Sequence, residues 1–265
     1  MKLNLLLLTA SLIALSACDM GSGSGNQTQT QAQTATSAPA ATEAAAPAMV
    51  AQVDGNRLTY GAHEYTVDGL IDTEAPVTGR RDTPTATVTF TNVPADYAEF
   101  EAVYSGLLGR SPQGAAAMIP MAIEIFARDN AIGEQCLKLL CNSDATVSGI
   151  VRILKTKLIP SEHAPANDPY IQRYMAAALL KGANADNAYT PTRPYTVEMC
   201  ASVNKPQQAS GGTVTYLYIL ANGWDSNQRQ VEVQLPNGSE LYKVFNCPST
   251  YTQCKNIVGT WSGLE

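Results

Sequence analysis

Five cysteines are the first residues in the chain whose type invites chemistry: Cys136, Cys141, Cys200, Cys247 and Cys254. Cys247 and Cys254 bracket the loop Pro248 to Gln253, which could bring them together as a disulfide. Closing a ring of that size would stabilise the fold by about 2.5 kcal/mol on chain-entropy grounds. On one helix, Cys136 and Cys141 would hold their Cα atoms about 8.6 Å apart, too far for a bridge. Cys200 could instead pair with either of them. The plain alternative is that these cysteines are small buried hydrophobes with unreactive thiols. Metal chemistry has little to stand on. The two histidines, His63 and His163, lie far apart, and no Cys-x-x-Cys occurs, so no zinc site is expected. No segment carries the alternating carboxylates of a calcium loop, and Asp225-Ser226-Asn227 reads as turn chemistry. No metal and no cofactor is expected.

Nucleophilic catalysis has one formal match. Ser202-Val203-Asn204-Lys205 resembles the Ser-x-x-Lys motif of penicillin-recognising enzymes, but it follows a strand and precedes Pro206 instead of opening a helix. The partner motifs are absent. No Gly-x-Ser-x-Gly and no phosphate-binding glycine loop appears. Arg152, Lys155 and Lys157, with Lys138 nearby, form a basic set that could meet anionic lipid or wall polymer, or simply be a solvated helix face. Trp224 sits in a polar loop and is the candidate contact residue, with packing back onto the sheet edge as the alternative.

Composition narrows the partners. The chain has 265 residues, a formal net charge of −6 and only 15% charged residues. A sequence-independent nucleic-acid binder needs a basic surface to displace counterions, so none is expected. After the N-terminal segment no apolar run is long enough for a membrane span.

Residues 1–17 read as a signal peptide. Lys2 supplies the positive start, and the apolar stretch from Leu3 ends at Leu15-Ser16-Ala17-Cys18. This ending resembles the bacterial lipobox. The resemblance implies cleavage before Cys18, a thioether-linked diacylglycerol on its thiol, and anchoring through several acyl chains. The implied location is a bacterial cell membrane, facing the periplasm or the exterior. Asp19 implies retention in the inner membrane where the enteric sorting rule applies. Residues 18–50 then form the lipidated cysteine and a disordered spacer. Residues 20–50 have no aromatic residue, a single acid (Glu43) and two prolines, Pro39 and Pro47. They cannot bury enough apolar area to offset their conformational entropy.

Residues 51–265 are expected to form a single α+β globular domain. Arg57–Tyr60 and Tyr65–Val67 flank Gly61-Ala62 as a hairpin, and Thr85 to Thr91 alternates with Ala86, Val88 and Phe90 on one face. The period then becomes helical. Tyr97, Phe100, Tyr104 and Leu108 share a stripe that Gly109 could stop. Ser111-Pro112 caps an almost wholly apolar second helix, with Pro120 expected to kink or split it. Ile132 to Cys141 predicts a third helix, and Asp144 can cap a fourth carrying Val147, Ile150, Val151, Leu154 and Leu158. Asp168-Pro169 opens a fifth with Ile171, Tyr174, Met175, Ala178 and Leu179 inward. Residues 196–203 and 213–220 are strands, the second a central one. Asn237-Gly238 predicts a two-residue hairpin loop that places Val233 opposite Tyr242, Val231 opposite Val244 and Glu232 opposite Lys243. The expected architecture is N-terminal strands, a layer of about five helices and a C-terminal antiparallel sheet.

Two stretches carry a family resemblance. One runs from Leu107 to Met118 (LLGRSPQGAAAM) and continues from Ala122 to Arg128; the other runs from Ala221 to Val231. Both resemble a family of uncharacterised bacterial lipoproteins defined only as a domain of unknown function. The family's loop before the last strands has a Gly-Ala-Asp-Ser-Pro-Arg-Pro form, and here Trp224, Asn227 and Gln230 depart from it. The resemblance covers roughly residues 90–245. It implies a helical layer on a small antiparallel sheet and no established activity. The functional expectation is a membrane-anchored envelope lipoprotein. Its non-enzymatic domain would bind an envelope protein or cell-wall component. The alternative is an envelope hydrolase or redox enzyme with a dispersed active site.

Overall fold

The computed structural model describes residues 49–73 and 83–264. The expected signal peptide, Cys18 and nearly all of the spacer lie outside the described residues.

The opening strands are a meander. β1 (Gln52–Asp54), β2 (Arg57–Tyr60), β3 (His63–Gly69) and β4 (Ala86–Phe90) pair in order, all antiparallel. The β2–β3 turn is the expected Gly61-Ala62, since Tyr60 pairs with His63. On β4 the two-residue alternation is obeyed: Ala86, Val88 and Phe90 are buried while Thr87 and Thr89 are half-buried.

Four helices follow: α1 (Tyr97–Gly106), α2 (Pro112–Arg128), α3 (Asn130–Leu140) and α4 (Asp144–Leu158). Asp96 caps α1 by accepting from the Glu99 N–H at 2.9 Å. Ser111 caps α2 by accepting from the Gly114 N–H at 3.1 Å, with Pro112 in the first turn as expected. Gly109 does not stop α1; it lies in the 3-10 turn Leu108–Arg110, where an added Cβ would lie 2.7 Å from the Tyr104 carbonyl oxygen. α2 is the central helix, buried nearly all round, and packs against β4 and the later strands. It runs unbroken through Pro120, so the expected split is absent. Proline removes a single donor, and the surrounding packing keeps the helix.

The expected fifth helix is not formed. Residues 168–180 are successive turns, with the 3-10 turn Ala177–Leu179 at their end. Its apolar residues still face inward: Ile171, Tyr174, Met175, Ala178 and Leu179 are all buried. The backbone is committed elsewhere. The Gln172 N–H donates to the Lys157 carbonyl at 2.7 Å, a bond that a continuous helix could not make.

β5 (Tyr195–Ala201), β6 (Gln207–Ala209), β7 (Gly212–Leu220), β8 (Gln228–Pro236) and β9 (Lys243–Asn246) complete the structure. β5 lies directly beside β4, with Phe90 opposite Tyr195 and Val88 opposite Val197. The N-terminal strands and the C-terminal sheet are therefore one nine-stranded sheet among the described residues, ordered β1-β2-β3-β4-β5-β7-β8-β9 with β6 on β7. β7 is central. Thr215, Leu217 and Ile219 are buried, and Tyr216 and Tyr218 on the other face are half-buried.

The last hairpin departs from expectation. The turn at Asn237-Gly238 forms, with Gly238 at φ +76° and the Ser239 N–H donating to the Pro236 carbonyl at 3.0 Å. The ladder register is different: Val233 pairs with Val244 instead of Tyr242, and Glu232 with Asn246 instead of Lys243. The helical layer takes Tyr242 out of the ladder. Its N–H donates to the Gly109 carbonyl at 2.7 Å, and its carbonyl accepts from the Tyr104 hydroxyl at 2.8 Å.

Candidate functional site

α3 and α4 bury one face each and turn their charged residues outward. Asp129 caps α3 by accepting from the Ala131 and Ile132 N–H groups at 2.9 and 3.1 Å. Ser143, not the expected Asp144, caps α4 by accepting from the Thr146 N–H at 3.2 Å. Leu137 and Leu140 of α3, and Ile150 and Leu154 of α4, go into the core. The outward residues then meet across a groove of about 560 Å³. Glu134 and Lys138 come from α3, Asp144, Arg152 and Lys155 from α4, and Val147 and Val151 are its apolar part. Glu134 and Lys138 form an i,i+4 ion pair at 2.9 Å. The hydrogen bond from Lys138, its charge, and the more distant charge of Lys155 hold the Glu134 carboxyl below its ordinary range. Lys138, Arg152 and Lys155 thus converge, as the sequence suggested. Lys157 does not join them; its ammonium donates to Gln253 Oε1 at 3.3 Å and lies 5.1 Å from the Tyr170 ring centre.

A second cluster lies where β3 meets α1. The buried Glu99 carboxylate has one oxygen 2.6 Å from His63 Nδ1 and accepts there from the Tyr65 hydroxyl at 2.7 Å. Its other oxygen accepts from the Ala95 N–H at 2.8 Å. The Tyr65 phenol is driven far above its ordinary range, first by burial and then by the Glu99 charge. This arrangement fixes the His63 ring, whose side chain is 28% exposed. Sequence reading noted His63 only as a lone histidine, because Glu99 and Tyr65 are brought to it by tertiary packing. Ser202 and Lys205 carry no catalytic start: β5 ends at Ala201, and the Ser202 hydroxyl accepts from the Asn204 N–H at 3.2 Å. Among the described residues no group of three or more His, Cys, Asp or Glu could hold a metal ion.

Among the described residues all five cysteines are buried. Cys247 and Cys254 are not joined, and each has other neighbours. The Cys247 carbonyl accepts from the Thr250 hydroxyl at 2.7 Å, and burial first, then the Cys247 thiol, raises the Cys141 thiol. The Cys254 thiol lies 3.3 Å from Gln172 Oε1. Thr250 and Gln172 order this loop without a disulfide. Burial pushes the Cys136, Cys247 and Cys254 thiols up to about 12.

Trp224 is not the exposed contact residue. It is 9% exposed and part of the core. The Arg229 guanidinium stacks over its ring at 4.9 Å. Its loop is tied down by the Ala221 N–H donating to the Asn227 carbonyl and by the Lys255 N–H donating to the Gly223 carbonyl, both at 2.8 Å. The C-terminal segment, which the local sequence could not place, closes the loop and turns the indole inward.

Among the described residues these features define an α+β protein with one antiparallel sheet and a four-helix layer inserted between its adjacent strands β4 and β5. Residues 92–258 match the family described as a domain of unknown function, DUF6935, and the chain belongs to that family. No curated protein and no solved structure matches the chain. The matched span runs from just before α1 to beyond β9, so β1–β4 lie outside it although they share its sheet.

Proposed function

We propose that this chain is a membrane-anchored envelope lipoprotein whose globular part is a non-enzymatic binding domain. Lipid on Cys18 would hold it at the membrane, and the residues that follow would give the domain reach toward an envelope protein or cell-wall component. The observation that carries the binding reading is the α3–α4 groove, where Lys138, Arg152 and Lys155 outnumber the carboxylates of Glu134 and Asp144 beside the apolar Val147 and Val151. Such a surface suits a partner bearing carboxylates or phosphates on an apolar frame. Two measurements test the two halves. Metabolic labelling with an alkyne fatty acid should mark the wild-type chain and fail on Cys18→Ser; undiminished label would refute the anchor. Co-sedimentation with purified cell-wall sacculi or phosphatidylglycerol vesicles should fall at least about 10-fold in an Arg152→Glu/Lys155→Glu variant. Equal sedimentation would refute the groove.

One observation favours the alternative of an envelope hydrolase. Glu99 orients the His63 ring through Nδ1 and leaves its second nitrogen for proton transfer. A hydrolytic activity lost in His63→Gln with unchanged melting would favour that reading.

A further inference from the structure

The groove between α3 and α4 is not the only concave surface. The segments 166–174 and 256–261 face one another across a cleft of about 410 Å³, within the size range of small-molecule sites. Neither segment belongs to a helix or strand, yet both are fixed. Gln172 is fully buried, and its amide clamps the Cys254 main chain from both sides: Nε2 donates to the carbonyl at 2.7 Å, and Oε1 accepts from the N–H at 2.9 Å. The Val258 N–H donates to the Ala185 carbonyl at 2.9 Å. Tyr174, on the cleft wall, stacks on the buried Tyr189 at 4.8 Å with the rings 8° from parallel. The cleft is therefore preorganised before any ligand arrives, which reduces the ordering cost of binding.

Its chemistry is specific. Trp261, Tyr174, Ile171 and Ile257 supply an apolar and aromatic wall, and Asn167, Asp168, Asn256 and Thr260 supply polar groups. Among the described residues no lysine or arginine lines it and Asp168 is its one carboxylate, so an anion would meet repulsion there. Two of the polar side chains have a role already fixed. Asn256 Oδ1 accepts from Gln172 Nε2 at 3.3 Å, which leaves the Asn256 amide NH₂ to donate. Asp168 Oδ1 accepts from the Tyr170 N–H at 2.8 Å, which leaves Oδ2 to accept. The unfilled requirement is a neutral ligand that donates and accepts from adjacent groups and also offers a C–H face to an aromatic ring.

We propose that this cleft binds a neutral saccharide, its vicinal hydroxyls bridging Asn256 and Asp168 and its C–H face lying on Trp261. The proposal goes beyond the anchored-binder reading and does not rest on it: the cleft shares no lining residue with the α3–α4 groove.

The full chain in detergent would be titrated by calorimetry and by tryptophan emission with three neutral trisaccharides: the β-1,4-linked N-acetylglucosamine trimer, cellotriose and maltotriose. Trigalacturonate and adenosine serve as the anionic and the planar aromatic comparisons. The chain has two tryptophans, and with Trp224 buried the emission change should come from Trp261. At least one neutral trimer should bind with Kd of about 1 mM or tighter. Trp261→Ala should abolish the calorimetric signal. Asp168→Asn, which keeps the oxygen that accepts from the Tyr170 N–H and removes the second acceptor, should weaken binding at least about 5-fold without lowering Tm, and it decides the matter if the tryptophan variant fails to fold. The proposal is overturned if no neutral trimer binds at about 10 mM, if binding survives Asp168→Asn unchanged, or if trigalacturonate or adenosine binds as well as the best trimer. None of these results bears on fatty-acid labelling of Cys18 or on the groove variants.

Discussion

Glu124 is 4% exposed on α2, with Oε1 3.4 Å from the Arg128 guanidinium and Oε2 buried without a hydrogen-bond partner among the described residues. Burial raises its pKa above the ordinary 4.5, and the charges of Arg128 and Arg173 only partly oppose the shift. A carboxyl that holds its proton more tightly when folded costs stability once the solvent pH exceeds the unfolded value. The folded state then binds more protons, so stability is lost as pH rises from about 4.5 through the raised value. Glu124→Gln removes that titration. Thermal melts from pH 4 to pH 8 should show a flatter profile for the variant and an advantage over wild type that grows with pH; parallel profiles would exclude Glu124 as the source. The thiols make a second residue-scale case. With Cys136, Cys247 and Cys254 raised to about 12 and Cys141 higher still, almost no thiolate exists at pH 8. Ellman's reagent should react with these buried thiols at least about 100-fold more slowly in the native chain than in guanidinium.

Between elements, α2 and α3 approach closely at Gly133. A Cβ added to Gly133 would lie 2.2 Å from the Phe126 Cα, backbone against backbone, with no flexible side chain to give way. Gly133→Ala should therefore cost more than about 2 kcal/mol in urea melts, where an unconstrained helical glycine would gain from alanine. Ser111→Ala, which removes the α2 cap, should cost about 1 kcal/mol. Elements specified by local pattern were legible from the sequence: the Gly61-Ala62 hairpin, the Thr-faced β4, the Ser111-Pro112 helix start and the buried character of α2. Elements decided by distant partners were not. Residues 168–180 have a helical apolar stripe, but Gln172 is claimed by Lys157 and Cys254. The last hairpin has a strong turn signal, but Tyr242 is claimed by Gly109. The groove was half legible, since helical spacing groups Arg152 with Lys155 but not with Lys157. The cleft beside Trp261 was not legible, because its two walls are irregular segments far apart in the chain.

For the whole molecule, the position of β1–β4 matters most. They precede the matched family span, yet Leu58, Tyr65 and Val88 are fully buried and Phe90 is 1% exposed in the common core. Each such side chain contributes about 1.5–3 kcal/mol, and a domain's net stability is only about 5–15 kcal/mol. A chain beginning at residue 92 should therefore lose cooperative unfolding by calorimetry, whereas one beginning at residue 49 should melt as the full-length protein does. A sharp transition in the shorter chain would show that the strands are an appendage.

The β4–β5 seam has a consequence in time. Its partners, such as Phe90 and Tyr195, are more than a hundred residues apart in the chain, with all four helices between them. Loop closure over that distance comes before the pairing yields anything. During synthesis, at about 5–20 residues per second, β4 must wait several seconds with an unpaired edge and an apolar face. Over that interval β4 is a ready template for another chain. α2, which packs against β4 in the fold, is made first and can cover its apolar face before β5 exists. By this order of synthesis the inserted helical layer would act as an internal holdase for β4, and weakening α2 should show first as aggregation of nascent chains.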